Sequence, residues 1–284
     1  MYHATVNGVR LAYAERGRRH DTTLILIHGF PLDRHLWDAQ LAGLASSAHV
    51  LAPDLRGHGG SEIAPGPYSM DGHADDIAAL LDHLGIQKAI VAGLSMGGYI
   101  AFAFWRRYPE RVRALALLDT RADPDSPEAR ANRDASVTRV KSCGAEAFAG
   151  DMLPRLLSPA SQADARLAGR ALAQMAAQPV PGIVADLLAL RDRPDSRPTL
   201  PSITVPVLVV AGEADQLTPP SVAHGMAQAM PDARVAIIPG AGHLSPLENP
   251  RAVNAALRRF IASLGHSSGS SGSSGHSISS SAAR

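Results

Sequence analysis

Short apolar runs alternate with amphipathic stretches along most of this chain. Near the N-terminus, Tyr2–Val6 and Val9–Ala14 flank Asn7-Gly8, a dipeptide typical of a two-residue hairpin turn. The later runs are apolar at nearly every position, as expected of strands that are buried on both faces of a parallel sheet. These predicted strands are Leu24–Ile27, His49–Ala52, Ala89–Ala92, Ala114–Leu118, Val207–Val210 and Val235–Ile238.

Helices are predicted between these strands. In Met70–Leu84 the apolar residues recur at helical spacing, and Gly85 supplies a C-terminal cap. Further helices are predicted over Met96–Tyr108, Ser221–Met230 and Arg251–Leu264. The alternation of strand and helix predicts an α/β fold with a doubly wound, mostly parallel sheet.

Residues 121–200 interrupt this alternation, because they contain no predicted strand. Three helices are predicted there: Ala145–Leu157, Ser161–Ala177 and Gly182–Leu190. We therefore expect a core built from residues 1–120 and 201–264, with an all-helical lid over the carboxyl edge of the sheet, where such folds bind ligands. Residues 265–284 are mostly Ser and Gly and are expected to form a flexible tail outside the fold.

The charge balance and the cysteine count limit the expected binding partners and the expected cellular compartment. The 27 basic and 26 acidic residues leave a net charge of +1, so neither a nucleic acid nor an anionic membrane is expected as a partner. Cys143 is the single cysteine, which excludes an intrachain disulfide and suits a reducing cytoplasm. The N-terminus lacks a signal-peptide pattern, and no apolar run is long enough for a transmembrane helix. We expect a cytoplasmic protein; the oligomeric state stays open.

The segment Gly93-Leu94-Ser95-Met96-Gly97 matches the G-x-S-x-G pattern between a buried strand and a helix. A sharp turn there lifts the Ser95 hydroxyl to the carboxyl edge of the sheet, and the glycines remove side chains that would collide. Ser95 is therefore the predicted nucleophile.

A serine hydroxyl needs a base, and in this strand–turn–helix context the order along the chain is Ser, acid, His. Beyond residue 200 the histidines are His224, His243, His266 and His276. His243 is favoured because it follows a predicted strand in the loop Pro239-Gly240-Ala241-Gly242. Asp215 is the favoured acid, since it follows the preceding strand; Asp119 is a rival, and Glu213 a weaker one.

An oxyanion formed at Ser95 would need two backbone N–H donors. Met96, directly after the serine, is predicted to supply one, and Phe30 in the loop His28-Gly29-Phe30-Pro31 the other. His28 is expected to brace this loop rather than take part in the reaction. The turn Asp54-Leu55-Arg56-Gly57-His58-Gly59 is expected to be ion-paired and structural.

Together these four ordered motifs resemble the α/β-hydrolase superfamily over about residues 5 to 264, and more narrowly its bacterial carboxylesterases and 3-oxoadipate enol-lactonases. The segment 119–128 is similar to some of those esterases. The resemblance implies Ser95 as nucleophile, Asp215 as acid, His243 as base, and Phe30 and Met96 as oxyanion donors, with no metal or cofactor. Dehalogenases and epoxide hydrolases of this fold carry an Asp at the nucleophile position, so Ser95 argues against both.

The expected substrate is a small carboxylic ester of a short to medium acyl chain, bound in an apolar pocket. Leu32, Leu217 and Leu244 each follow a motif at the catalytic edge and are predicted to line it. The lid could add Met152, Leu153, Leu156 and Leu187, although packing within the lid is the favoured explanation for each of them. Alternatives are an enol-lactonase that uses lid arginines, a cofactor-free perhydrolase and a non-enzymatic ligand-binding protein. The lid arginines are Arg130, Arg133, Arg139, Arg155, Arg166 and Arg170.

Overall fold

An eight-stranded sheet forms the centre of the computed structural model, which describes residues 1–265. Its strands are β1 (Tyr2–Val6), β2 (Val9–Arg16), β3 (Thr23–Ile27), β4 (His49–Pro53), β5 (Ala89–Leu94), β6 (Val112–Leu118), β7 (Val207–Gly212) and β8 (Ala233–Ile238). The spatial order is β1-β2-β4-β3-β5-β6-β7-β8. β2 pairs antiparallel with β1 and with β4, whereas the pairs from β4 to β8 are parallel. The predicted α/β architecture is confirmed.

Ten helices connect and cover these strands within the described residues. They are α1 (Asp38–Leu44), α2 (Met70–His83), α3 (Met96–Arg107), α4 (Pro127–Leu156), α5 (Pro159–Ala163), α6 (Ala165–Ala176), α7 (Val180–Arg191), α8 (Pro220–Gln228), α9 (Ser245–Glu248) and α10 (Pro250–Gly265). Short 3₁₀ turns occur at Arg34–Trp37, Pro109–Arg111 and Arg197–Ser202. Within residues 1–265 no helix is both long enough and apolar enough to cross a membrane.

The two faces of the sheet bury two separate cores. In β3, Ile25 and Ile27 pack in the core that includes residues of α2, α3 and α8. Leu24 and Leu26 point to the opposite core, with residues of α1 and α10. Side chains alternate between the faces of a strand, so helices on both faces explain why these strands are apolar at every position.

The segment between β6 and β7 contains helices and no strand, as the sequence predicts. Its first helix, α4, begins eighteen residues before the predicted helix and is kinked at Gly144, whose φ is +78°. The missed first half is mostly exposed and polar, so no apolar periodicity marked it. The predicted helix Ser161–Ala177 is in fact two, because Asp164 has extended backbone and caps α6 through the N–H groups of Arg166 and Leu167.

The helical insertion is joined to the core by a buried ion pair. His73 Nε2 in α2 lies 2.7 Å from Asp186 Oδ1 in α7, and His58 Nδ1 lies 3.5 Å from Asp186 Oδ2. All three side chains are fully buried. Burial raises the pKa of Asp186, but the charge of His73 and its hydrogen bond outweigh this and hold the pKa below its usual value. The carboxylate is therefore ionised at neutral pH.

We expect Asp186→Ala to lower the free energy of unfolding by about 3 to 5 kcal/mol, because removing one partner of a buried pair leaves the other uncompensated. Denaturation with urea at neutral pH measures this. Asp192→Ala is the matched control: it removes a carboxylate from the exposed end of α7, where Asp192 pairs with Arg130 and Arg191, and should change stability by less than about 0.5 kcal/mol. Equal losses of stability in the two variants would contradict the conclusion that Asp186 joins the insertion to the core.

The predicted Ser/Gly tail falls almost entirely outside the described residues. Helix α10 continues through Gly265, and residues 266–284 are not described.

Candidate active site

Ser95 occupies a strained turn between β5 and α3. Its backbone has φ +52° and ψ −110°, a left-handed region that few residues other than glycine adopt. A Cβ at Gly93 would approach Gly97 O to 2.0 Å, so the flanking position has no room for a side chain. The strand beside it holds the turn in place, because Ser95 N donates to Leu118 O at 2.9 Å and Thr120 Oγ1 donates to Ser95 O at 2.8 Å.

The structure brings the three predicted triad residues together in one hydrogen-bonded chain. His243 Nε2 lies 2.9 Å from Ser95 Oγ, and His243 Nδ1 lies 2.8 Å from Asp215 Oδ2. Asp215 also accepts hydrogen bonds from Leu217 N at 2.8 Å, Thr218 N at 3.0 Å and Thr218 Oγ1 at 2.5 Å. With these bonds the carboxylate is fixed and one of its oxygens is aimed at the imidazole.

The helical insertion helps to place the histidine. His243 N donates to Leu156 O at the end of α4, at 2.9 Å. Glu248 accepts from Gly242 N, Leu244 N and Ser158 N, so one carboxylate joins the histidine loop to the insertion. The position of the imidazole therefore depends on residues on both sides of the site.

Opposing effects set the pKa values of this pair. Burial raises the pKa of Asp215, but hydrogen bonds from His243 and Thr218 together with the histidine's charge lower it to about 2. Burial lowers the pKa of His243, yet the hydrogen bond and the charge of Asp215 reverse this, so the pKa is raised above 6.5. Asp215 is thus ionised at neutral pH and favours the imidazolium form of His243.

Neither of the two rival acids forms a hydrogen bond with the imidazole within residues 1–265. The buried Asp119 accepts from Gly212 N at 2.7 Å and from Ser245 Oγ, and burial raises its pKa to about 8. Glu213 is exposed and accepts from Gly240 N. His224, the other described histidine beyond residue 200, is exposed on α8. Asp119 instead connects the loops on which Asp215 and His243 lie.

Two backbone amides next to Ser95 are available to a ligand. A Cβ built on Gly29 would lie 3.4 Å from Ser95 Cβ, so the loop before Phe30 borders the serine. Phe30 and Met96 both line the cavity at Ser95. Neither amide N–H donates a hydrogen bond to another group within residues 1–265. This arrangement suits an anionic oxygen.

His28 and the 54–59 turn have the structural roles that the sequence predicts. His28 Nε2 accepts from Leu55 N at 3.0 Å, and Nδ1 donates to Gly29 O at 2.9 Å, which braces the Phe30 loop. Arg56 forms a two-pronged ion pair with Asp76 at 2.6 Å for each bond.

Ser95 opens into a cavity of about 220 Å³ between the sheet edge and the insertion. Leu217 lines it as predicted, together with Met152 and Leu156 of the insertion. Leu32 and Leu244 do not line it: both are buried in the core that faces α1 and α10, so their prediction as substrate contacts needs correction.

The expectation of apolar walls is met only in part, because charged side chains line this cavity beside the apolar ones. The charged lining residues are Arg121, Asp125, Arg133, Arg155 and Arg193. A second cavity of about 350 Å³ adjoins it between the two halves of α4, and Arg133 and Arg155 line both. Arg121 was detectable in sequence, since it lies three residues after β6 at the carboxyl edge; Tyr99, Asp125 and Arg193 carried no such signal. Residues 1–265 hold no cluster of three or more His, Cys, Asp or Glu placed to bind a metal.

Comparison with known proteins identifies the class. The sequence profile of the alpha/beta hydrolase fold matches residues 22–250. The chain therefore belongs to the α/β-hydrolase family and is a hydrolase of that fold.

Its relatives include esterases and lactonases. A thermophilic esterase from Thermogutta terrifontis, solved with malate bound, is 39% identical with a TM-score of 0.89, and the match covers 93% of this chain and 98% of that one. An enol-lactonase from Burkholderia xenovorans is 30% identical with a TM-score of 0.86, covering 92% and 100%. The sequence of 3-oxoadipate enol-lactonase 2 from Acinetobacter baylyi is 30% identical over 265 residues, covering 90% and 96%.

Proposed function

We propose that this protein is a carboxylesterase that cleaves small carboxylic esters through an acyl-enzyme intermediate. The hydrogen-bonded chain from Ser95 through His243 to Asp215, beside two unoccupied backbone amides, is the observation that carries this proposal. The esterases among its relatives support it.

The geometry suits a two-step acyl transfer. His243 Nε2 takes the proton from Ser95 Oγ as the oxygen attacks the ester carbonyl, and the Phe30 and Met96 amides stabilise the oxyanion. Asp215 holds the imidazole in orientation and stabilises its protonated form. His243 then protonates the leaving alcohol and activates a water that hydrolyses the acyl-enzyme. In this proposal residues 121–200 act as the lid that covers the cavity.

Lactone hydrolysis is the second candidate, because it uses the same residues. The arginines that line the cavity favour it, since an enol-lactone that carries a carboxylate needs cationic contacts. The sequence-based preference for an apolar acyl chain loses support for the same reason.

Initial rates on a series of p-nitrophenyl esters of increasing chain length, alongside 3-oxoadipate enol-lactone, test the proposal. Turnover of the esters that disappears in Ser95→Ala, with little lactone hydrolysis, supports a carboxylesterase. A strong preference for the lactone would replace it with the second candidate. Ester turnover that persists in pure Ser95→Ala protein would contradict both candidate functions.

We expect kcat/KM for an uncharged ester to fall as the pH decreases, with an apparent pKa above 6.5. The base must be the neutral imidazole, and Asp215 raises the pKa of His243, so more of the free enzyme is protonated and inactive at a given pH. The pH profile of kcat/KM measures this. A midpoint at or below 6.5 would mean that Asp215 does not favour the charged histidine in solution.

A further inference from the structure

The cavity at Ser95 contains more positive than negative charge. Four guanidinium groups line it, from Arg121, Arg133, Arg155 and Arg193, against the single carboxylate of Asp125. Like charges that line a small cavity repel each other, and the repulsion is relieved when an anion binds between them.

Two of these arginines share one carboxylate of the protein, that of Asp125. Arg193 Nη1 lies 2.5 Å from Asp125 Oδ1, and Arg133 Nε lies 3.0 Å from Asp125 Oδ2. Arg193 also donates to the carbonyls of Asp123 and Leu190 and stacks on Tyr99, with 4.4 Å from its guanidinium carbon to the ring centroid. Arg193 therefore stabilises the wall of the cavity, and its donors are occupied by the protein.

The other two arginines have no carboxylate partner. Arg121 donates one hydrogen bond to Leu217 O in the loop that follows Asp215. The exposed side chain of Arg155 makes no hydrogen bond and no ion pair within residues 1–265, and it lines both cavities. Its planar set of donors suits bidentate binding of a carboxylate.

Several other arginines of the insertion are paired with carboxylates, and one of these pairs, Arg139 with Asp151, borders the second cavity. Arg130 pairs with Asp192, Arg139 with Asp151 and Arg170 with Asp38. Arg166 lies exposed on α6 and lines neither cavity. Two guanidinium groups without a carboxylate partner thus line the cavity into which Ser95 opens.

We infer that this site binds an acyl substrate that carries a free carboxylate, and that Arg155, assisted by Arg121, binds that carboxylate while Ser95 attacks the ester carbonyl. The inference rests on the proposed function and names the class of substrate: a half-ester of a dicarboxylic acid, or a lactone with a pendant carboxylate. Both substrate types carry one anionic group at a distance from the ester bond that is cleaved.

The first test compares two esters of equal chain length, the mono-p-nitrophenyl ester of adipic acid and p-nitrophenyl hexanoate. We expect the wild-type enzyme to prefer the charged ester, and Arg155→Gln to reduce this preference by about tenfold to a hundredfold, as expected for the loss of a charge-assisted hydrogen bond. Arg166→Gln, the matched control, removes the same charge from the insertion outside both cavities and should leave the preference unchanged. Arg121 is not used, because changing it would disturb the Asp215 loop.

Three results would overturn the inference. They are a wild-type preference for the uncharged ester, an unchanged preference in Arg155→Gln, and an equal loss of preference in Arg166→Gln. A lactone pair, 3-oxoadipate enol-lactone against uncharged dihydrocoumarin, distinguishes the two sources of the carboxylate: the pair that shows the larger Arg155-dependent preference identifies the substrate type.

Binding measured without turnover separates failure of this inference from failure of the proposed function. Adipate should bind to Ser95→Ala protein in calorimetry, and Arg155→Gln in the same background should weaken binding by about tenfold or more. Adipate binding that is independent of Arg155 would overturn the carboxylate site even if ester hydrolysis depends on Ser95. Arg155-dependent binding together with residual esterase activity in Ser95→Ala would instead overturn the nucleophile and keep the site.

Discussion

Ser95→Ala is expected to lower kcat for ester hydrolysis by about 10⁶-fold, because the acyl-enzyme cannot form without the hydroxyl. The residual rate would come from binding and from the Phe30 and Met96 amides, which the substitution leaves in place. Purified variant and wild-type protein assayed on the same p-nitrophenyl ester give this ratio.

The fold of the Ser95→Ala variant should be unchanged. The substitution removes one oxygen, and the residue at this φ of +52° has a Cβ before and after the change, so the backbone strain is the same. Equal midpoints in urea denaturation would show that the lost activity reflects chemistry. A loss of activity that runs parallel to a loss of stability would leave the nucleophile assignment without support.

Asp215→Asn is expected to lower kcat by about 10⁴-fold while the fold is kept. An amide in place of the carboxylate can no longer hold His243 as the tautomer that accepts a proton from Ser95, nor stabilise the imidazolium. Because Asp215 also accepts from Leu217 N and Thr218 N, the remaining amide oxygen can preserve the local turn.

Asp119→Asn is the matched comparison, since both residues are buried aspartates that follow neighbouring strands. Burial raises the pKa of Asp119 to about 8, so this side chain is mostly protonated at neutral pH and an amide is a close substitute. We expect a much smaller loss of kcat than for Asp215→Asn. A loss as large as that of Asp215→Asn would mean that Asp119 acts on the imidazole more directly than its bonds to Gly212 and Ser245 indicate.

Sequence patterns within a single strand or turn were sufficient to predict that strand or turn. The strands of the parallel sheet were visible because burial on both faces makes every position apolar, as in β3. The turn at Ser95 was visible because sharp backbone geometry requires glycine at fixed offsets, and a Cβ at Gly97 would come within 2.3 Å of Ile27 O.

Sequence patterns failed where contacts with residues distant in sequence decide whether a helix forms or where a side chain lies. The first half of α4 is polar and largely exposed, so it lacks the periodicity that identifies a buried helix. Leu32 and Leu244 follow catalytic motifs as Leu217 does, yet only Leu217 lines the cavity. Nothing in the immediate sequence of these leucines distinguishes the two environments.

The sequence by itself determined the α/β architecture and the turn that carries Ser95, because these depend on periodicity and on steric limits within a few residues. The order of serine, acid and histidine followed from the resemblance to the α/β-hydrolase superfamily. The tertiary structure alone decided that Asp215, and not Asp119, faces His243, because both carboxylates end neighbouring strands and only their partners differ. It also decided that the cavity is cationic. Arginines from α4 and from the segments that precede α4 and follow α7 meet there, and whether each has a carboxylate partner depends on which aspartates the fold places beside it.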